Sequence, residues 1–275
     1  MTVQNDAESR LRRIASAQNP LVKELRRAFR QGEATSQGAI AIEGVRIIEE
    51  AVRSGVRFQA IFFSQSGRAH AARLLPQIAA HAEALLLDDA VFSGAVSTET
   101  PQGVAALVML RPASLETLIE PEGEPLIVGV SGIQDPGNLG TIIRSAEAFY
   151  ASGVLLGEKT VSHFNPKVVR ASAGSIFREP LVKVQMLEAI AAVKRRGLRV
   201  IATSSHKGKP LDEADFRGPV ALLIGNEGAG LPADILSVAD ERVSIAHSEK
   251  VESLNAGIAA SIVLYEAARQ RSKIG

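Results

Sequence analysis

Apolar residues follow two rhythms along the chain. Continuous runs at Ala39–Ile42, Ala84–Leu87 and Gly103–Leu110 predict buried strands, and Arg57–Ser64 reads as another. Between them, Val45, Ile48, Ala51 and Val52 recur with helical spacing, and Ala69–Ala82 is expected to be a helix. An earlier helix is predicted over Leu21–Arg30. These elements form a small α/β block ending near Arg111-Pro112.

A Pro/Gly/acid-rich stretch follows, Glu120-Pro-Glu-Gly-Glu-Pro125, which marks a domain boundary. The second block opens with the strand Leu126–Val130 and continues with a helix from about Leu139 to Ala151. The strand Gly153–Leu156, a short helix Asn165–Ala173 and a helix Leu187–Arg196 come next. Strands Arg199–Thr203, Val220–Ile224 and Val243–Ala246 precede a long amphipathic helix, Asn255–Arg271. Unbroken apolar strands alternating with helices predict an α/β fold with a parallel sheet covered on both faces. The expected division is a basic N-terminal helical segment 1–36, a small domain 37–112, a linker 113–125 and a larger domain 126–275.

Composition narrows the class. The 275 residues carry 31 basic and 30 acidic side chains and are 46% hydrophobic, which is a folded rather than a disordered composition. There is no Cys, so a disulfide scaffold, a thiolate zinc site and a catalytic thiol are excluded. No secretory signal and no run near the ~18 apolar residues that span a bilayer is visible, so a cytoplasmic, membrane-free protein is expected. The five histidines (70, 81, 163, 206 and 247) show no metal-ligand spacing, and no metal is expected. Charge is uneven despite the net +1, since the first 30 residues hold seven basic and three acidic groups. Lys23, Arg26, Arg27 and Arg30 make either a solvated helix face or a phosphate-binding one.

Three polar, glycine-rich segments follow strands of the second block, where ligands of open α/β sheets bind. In Asp135-Pro-Gly-Asn-Leu-Gly-Thr-Ile-Ile-Arg144, Asn138 sits where a helix is capped and Arg144 lies one to two turns inside it. In Leu222-Leu-Ile-Gly-Asn-Glu-Gly-Ala-Gly-Leu-Pro232, glycines enclose Glu227, with neither the dinucleotide order nor a P-loop Lys. In Val251-Glu-Ser-Leu-Asn-Ala256, Ser253 and Asn255 are cap types that could also present donors to a ligand.

Together, DPGNLGTIIRSAEAF, LLIGNEGAGL and VESLNAGIAASIVLYEA resemble, in order and spacing, the three motifs of the SpoU (TrmH-like) RNA ribose 2′-O-methyltransferases of the SPOUT superfamily. HFNPKVVRASAGSIFREP is also similar to that family, and IEGVRIIEEA resembles its small RNA-binding domain. The resemblance implies a C-terminal α/β trefoil-knot methyltransferase domain behind a small N-terminal α/β RNA-binding domain. It implies S-adenosyl-L-methionine as cofactor and a homodimer whose active site is completed across the interface. It assigns Asn138, Arg144, Glu227, Ser253 and Asn255 to catalysis and substrate positioning, and Thr203, Gly225, Ile245 and Leu254 to the cofactor. One departure is Ser131, where many relatives place an acid.

The implied reaction moves a methyl group to a ribose 2′-hydroxyl of structured RNA, with 23S ribosomal RNA expected from the folded N-terminal domain. A tRNA methyltransferase and a non-catalytic RNA-binding relative are the alternatives, and an ordinary dinucleotide enzyme fits the glycine order poorly. A guanidinium, with a pKa above ~12, is a poor base, so Arg144 is expected to bind phosphate and stabilise alkoxide charge.

Overall fold

The computed structural model describes residues 9–119, 123–205, 207–248 and 250–271, so part of the 120–125 stretch, His206 and the extreme termini lie outside the described residues. The chain divides into two compact units. One holds the described residues up to Arg111 together with Ser162–Phe177, and the other holds the rest.

The first unit is a five-stranded sheet in the order β1-β4-β3-β5-β2. Its strands are β1 (Leu11–Ile14), β2 (Ala39–Glu43), β3 (Arg57–Ser64), β4 (Glu83–Leu87) and β5 (Val104–Met109). β1, β4 and β3 run parallel, while β5 is antiparallel to both β3 and β2. Helix α1 (Pro20–Gln31) has Asn19 as its cap, Pro20 in its first turn and Gly32 closing it in the left-handed region at φ 61°. Val22, Leu25, Ala28 and Phe29 lie on one face of α1 and join Phe62, Leu85 and Leu107 in the core.

Three differences from the sequence reading concern this unit. The first 36 residues do not form a separate helical segment, because Leu11–Ile14 pairs with β4 and α1 is part of the core. The helix expected over Ala69–Ala82 is broken into turns at Arg68–His70, Ala71–Leu74 and Leu75–Gln77. Pro76 lacks the N–H that would continue it. The Arg10 guanidinium donates to the carbonyls of Leu75 at 2.8 Å, Ile78 at 3.0 Å and Ala79 at 3.0 Å. Residues Ser162–Phe177 pack with this unit although they are flanked by the other in sequence. There Val168, Val169 and Ser172 are buried, and a Cβ on Gly32 would lie 3.3 Å from the Asn165 backbone.

The second unit is a seven-stranded sheet in the order β10-β12-β9-β11-β6-β7-β8, and every pairing in it is parallel. Its strands are β6 (Leu126–Val130), β7 (Gly153–Leu156), β8 (Leu181–Lys183), β9 (Arg199–Thr203), β10 (Lys209–Pro210), β11 (Val220–Ile224) and β12 (Glu241–Ser244). β6 and β11 are buried along their whole length, as continuous apolar strands covered on both faces must be. The expected linker 113–125 is not all linker. Leu115–Ile119 is helical and buries Leu118 against Ile127 and Leu155 of this unit's core, because its three apolar residues share a face.

Candidate active site

Helix α2 (Pro136–Ala148) leaves β6 through Ser131–Asp135. Its cap is Asp135, whose Oδ1 accepts from the Asn138 backbone N–H at 2.9 Å, and Pro136 opens the first turn. Asn138 is therefore inside the helix rather than its cap, which corrects the reading from sequence. The reason is positional: Asp135 stands just before Pro136, and only that site reaches the third helical N–H. Its side chain is thereby freed, and it is buried.

Helix α3 (Ala256–Gln270) is capped by Asn255, whose Oδ1 accepts from Ile258 N–H at 3.1 Å. With the oxygen committed, the Asn255 Nδ2 donates to Asn138 Oδ1 at 2.7 Å. Asn138 is then left with its Nδ2, which donates to Glu227 Oε1. One helix cap thus fixes the amide orientation of two asparagines and the position of a carboxylate. The helices carrying them are held by a 2.7 Å bond between the Ser145 and Ser261 hydroxyls and by Gly257, where a Cβ would lie 3.1 Å from Thr141.

Glu227 is positioned by a tight loop after β11. Asn226 and Gly230 exchange backbone hydrogen bonds at 3.2 and 2.9 Å. The Asn226 Oδ1 accepts from the N–H groups of Gly228 and Ala229, and its Nδ2 donates to the Gly132 carbonyl at 3.2 Å. Gly225 admits no side chain, since a Cβ there would collide with the backbone of Gly230 and Leu231.

Thr203, Gly225, Glu227, Ile245, Ser253 and Leu254 line one cavity at the carboxyl ends of β9, β11 and β12. All four residues assigned to the cofactor are among them. Thr203 Oγ1 donates to the Leu223 carbonyl at 3.0 Å, tying two neighbouring strand ends together. Asn138 and Asn255 reach the cavity through Glu227. Arg144 is not brought to it: it is exposed on the outward face of α2 and has no partner among the described residues.

Three contributors escaped the sequence reading. Asp135 and Asn226 build the two turns; an Asp before Pro and an Asn between glycines were the available signals. His247, read as structural, lines the cavity while its Nδ1 holds the Ile245 carbonyl at 2.7 Å. No group of acids and histidines that could hold a metal occurs among the described residues. Outside the cavity, burial and the neighbouring Glu147 push the Glu179 carboxyl up to about 8.

Comparison with known proteins agrees with this geometry. Residues 125–265, more than half of the chain, match the SpoU rRNA Methylase family, and residues 19–106 match the MRM3-like substrate binding domain. The chain is 31% identical over 255 residues to the 23S rRNA (guanosine(2553)-2′-O)-methyltransferase RlmP of Bacillus subtilis, covering 93% of this chain and 98% of that one. It is 32% identical over 245 residues to a 23S rRNA (uridine(2479)-2′-O)-methyltransferase of Streptomyces viridochromogenes, covering 86% and 85%. It superposes on the AdoMet-bound rRNA methyltransferase of Sinorhizobium meliloti with a TM-score of 0.83 at 29% identity, covering 94% and 98%. The chain belongs to the SpoU rRNA methylase family.

Proposed function

We infer that this chain transfers a methyl group from S-adenosyl-L-methionine to a ribose 2′-hydroxyl of ribosomal RNA, working as a homodimer. The observation that carries this reading is the chain Asn255–Asn138–Glu227, which joins the three motif loops at the rim of one glycine-floored cavity. The cavity suits the cofactor. Gly225 lets backbone approach a flat ring, Ile245 and Leu254 give apolar walls, and Thr203 and Ser253 give hydroxyls. When bound, the cofactor supplies an electrophilic methyl carbon on a sulfonium.

The protein's own part is positioning and charge control. Glu227, held by Asn138, is an acceptor of fixed direction that can orient the substrate hydroxyl or an incoming guanidinium. Ser253 adds a hydroxyl at the same rim. Arg144 fits phosphate binding and stabilisation of the developing alkoxide better than proton abstraction. Because it points outward on its own chain, we assign it to the cavity of a second copy. Ile258, Ile262 and Tyr265, one to two turns apart on α3 and exposed, give that copy an apolar stripe to cover. The same reading takes the loops after β11 and β12 to be the threaded part of a trefoil knot and the first unit to be the RNA-binding domain.

The test is complementation. Arg144→Ala and Glu227→Ala are each expected to abolish transfer while calorimetry still detects S-adenosylmethionine binding to Arg144→Ala. Mixing the two after dissociation and reassembly should restore about a quarter of wild-type activity, since half the dimers are mixed and each has one intact site. A mixture as inactive as its components refutes the shared site.

A further inference from the structure

The first unit contains a second cavity, of about 300 Å³, that the reaction described above does not use. Its lining is Gln37, Arg57, Phe58, Gln59, His81 and Met109. It sits at the end of the sheet where β3 begins and β5 ends, with Arg57 paired to Met109.

The backbone there departs from regular pairing. Phe58 opposes Val108 and Ala60 opposes Leu107, so Gln59 is an extra residue, bulged out of the β3–β5 ladder. Bulges of this kind re-aim a side chain. The Gln59 Nε2 donates to Gln37 Oε1 at 2.9 Å, while its own Oε1 is shielded from solvent and has no hydrogen-bond partner. A buried acceptor left unpaired works against folding. It is therefore a place to look for a ligand that brings an N–H group.

The remaining walls define that ligand. Phe58 and Met109 offer flat and polarizable apolar surface. Arg57 and His81 stand at the cavity with no partner among the described residues, and no acidic residue lines it. An unpaired amide acceptor on a lining residue, an apolar slot and a free guanidinium together match a base with an exocyclic amino group and its adjoining phosphate. We propose that this cavity binds a single unstacked nucleobase of the substrate RNA, read by Gln59 and anchored by Arg57. The inference rests on the reading that the first unit binds RNA.

The experiment measures steady-state methylation of protein-free unmodified ribosomal RNA by the full chain and by Gln59→Leu and Arg57→Ala. Both variants are expected to raise KM for RNA about tenfold, with kcat at saturating RNA and S-adenosylmethionine affinity unchanged. Gln59→Leu should also keep the melting temperature, because it removes a shielded acceptor without a partner along with the single bond to Gln37; a purely structural role for Gln59 would lower it. Arg57, exposed at the rim, keeps the test valid should Gln59→Leu fold poorly. Wild-type KM in both variants overturns the pocket. A wild-type chain that methylates no RNA overturns the functional reading instead.

Discussion

At the scale of single residues, the site depends on the order in which hydrogen-bonding capacity is used. Asn255 spends its oxygen on a helix end, which leaves its Nδ2 for Asn138, which in turn leaves an Nδ2 for Glu227. Asn138→Ala breaks the chain in the middle and leaves two partly shielded groups unpaired. We expect kcat to fall about 10²–10³-fold and stability to fall by about 1–3 kcal/mol, with S-adenosylmethionine affinity nearly unchanged. Steady-state kinetics, calorimetry and a melting curve check the three parts. Glu179 gives a second residue-scale prediction. Its carboxyl is held protonated in the fold up to about pH 8, against an ordinary value of 4.5. The folded state is thus favoured below the ordinary value, and that advantage is lost as pH rises toward 8. Glu179→Gln should therefore melt at the wild-type temperature at pH 4.5, and the variant's advantage should grow until about pH 8. Parallel melting curves across that range give the answer.

At the scale of elements, legibility followed hydrophobic content. Residues 57–64, 126–130, 153–156, 199–203 and 220–224 were read from sequence with the bounds the structure has, because each is an apolar run with sheet neighbours. Leu11–Ile14 was missed because two of its four residues are Arg, and only its pairing with β4 makes it a strand. Pro76 was visible within Ala69–Ala82 but was outweighed by the alanines around it. The short helix Leu115–Ile119 was hidden inside what looked like linker, since docking rather than length stabilises it. Leu118 is 2% exposed and packs into the second unit's core, so Leu118→Ala should cost about 2–5 kcal/mol, read from denaturant unfolding. A surface linker residue would cost far less.

At the scale of the whole molecule, the motifs were legible and their joining was not. Glycines, Asn and Glu after apolar strands identified the loops, and resemblance named the chemistry. The hydrogen bonds that unite residues 89 and 117 positions apart depend on topology, which spacing does not encode. The same holds for Ser162–Phe177, whose packing with the first unit has no local signal. Arg144 is exposed on its own chain, and the proposed reading gives it to the cavity of a second copy, so that reading is a statement about an assembly. The most direct measurement supplies labelled S-adenosylmethionine with unmodified ribosomal RNA and, separately, unmodified tRNA, and then digests with alkali. A 2′-O-methyl group blocks cleavage at its own nucleotide. The account predicts label in an alkali-resistant dinucleotide from ribosomal RNA. Label released as a mononucleotide would place the methyl on a base and contradict it, as would label confined to tRNA.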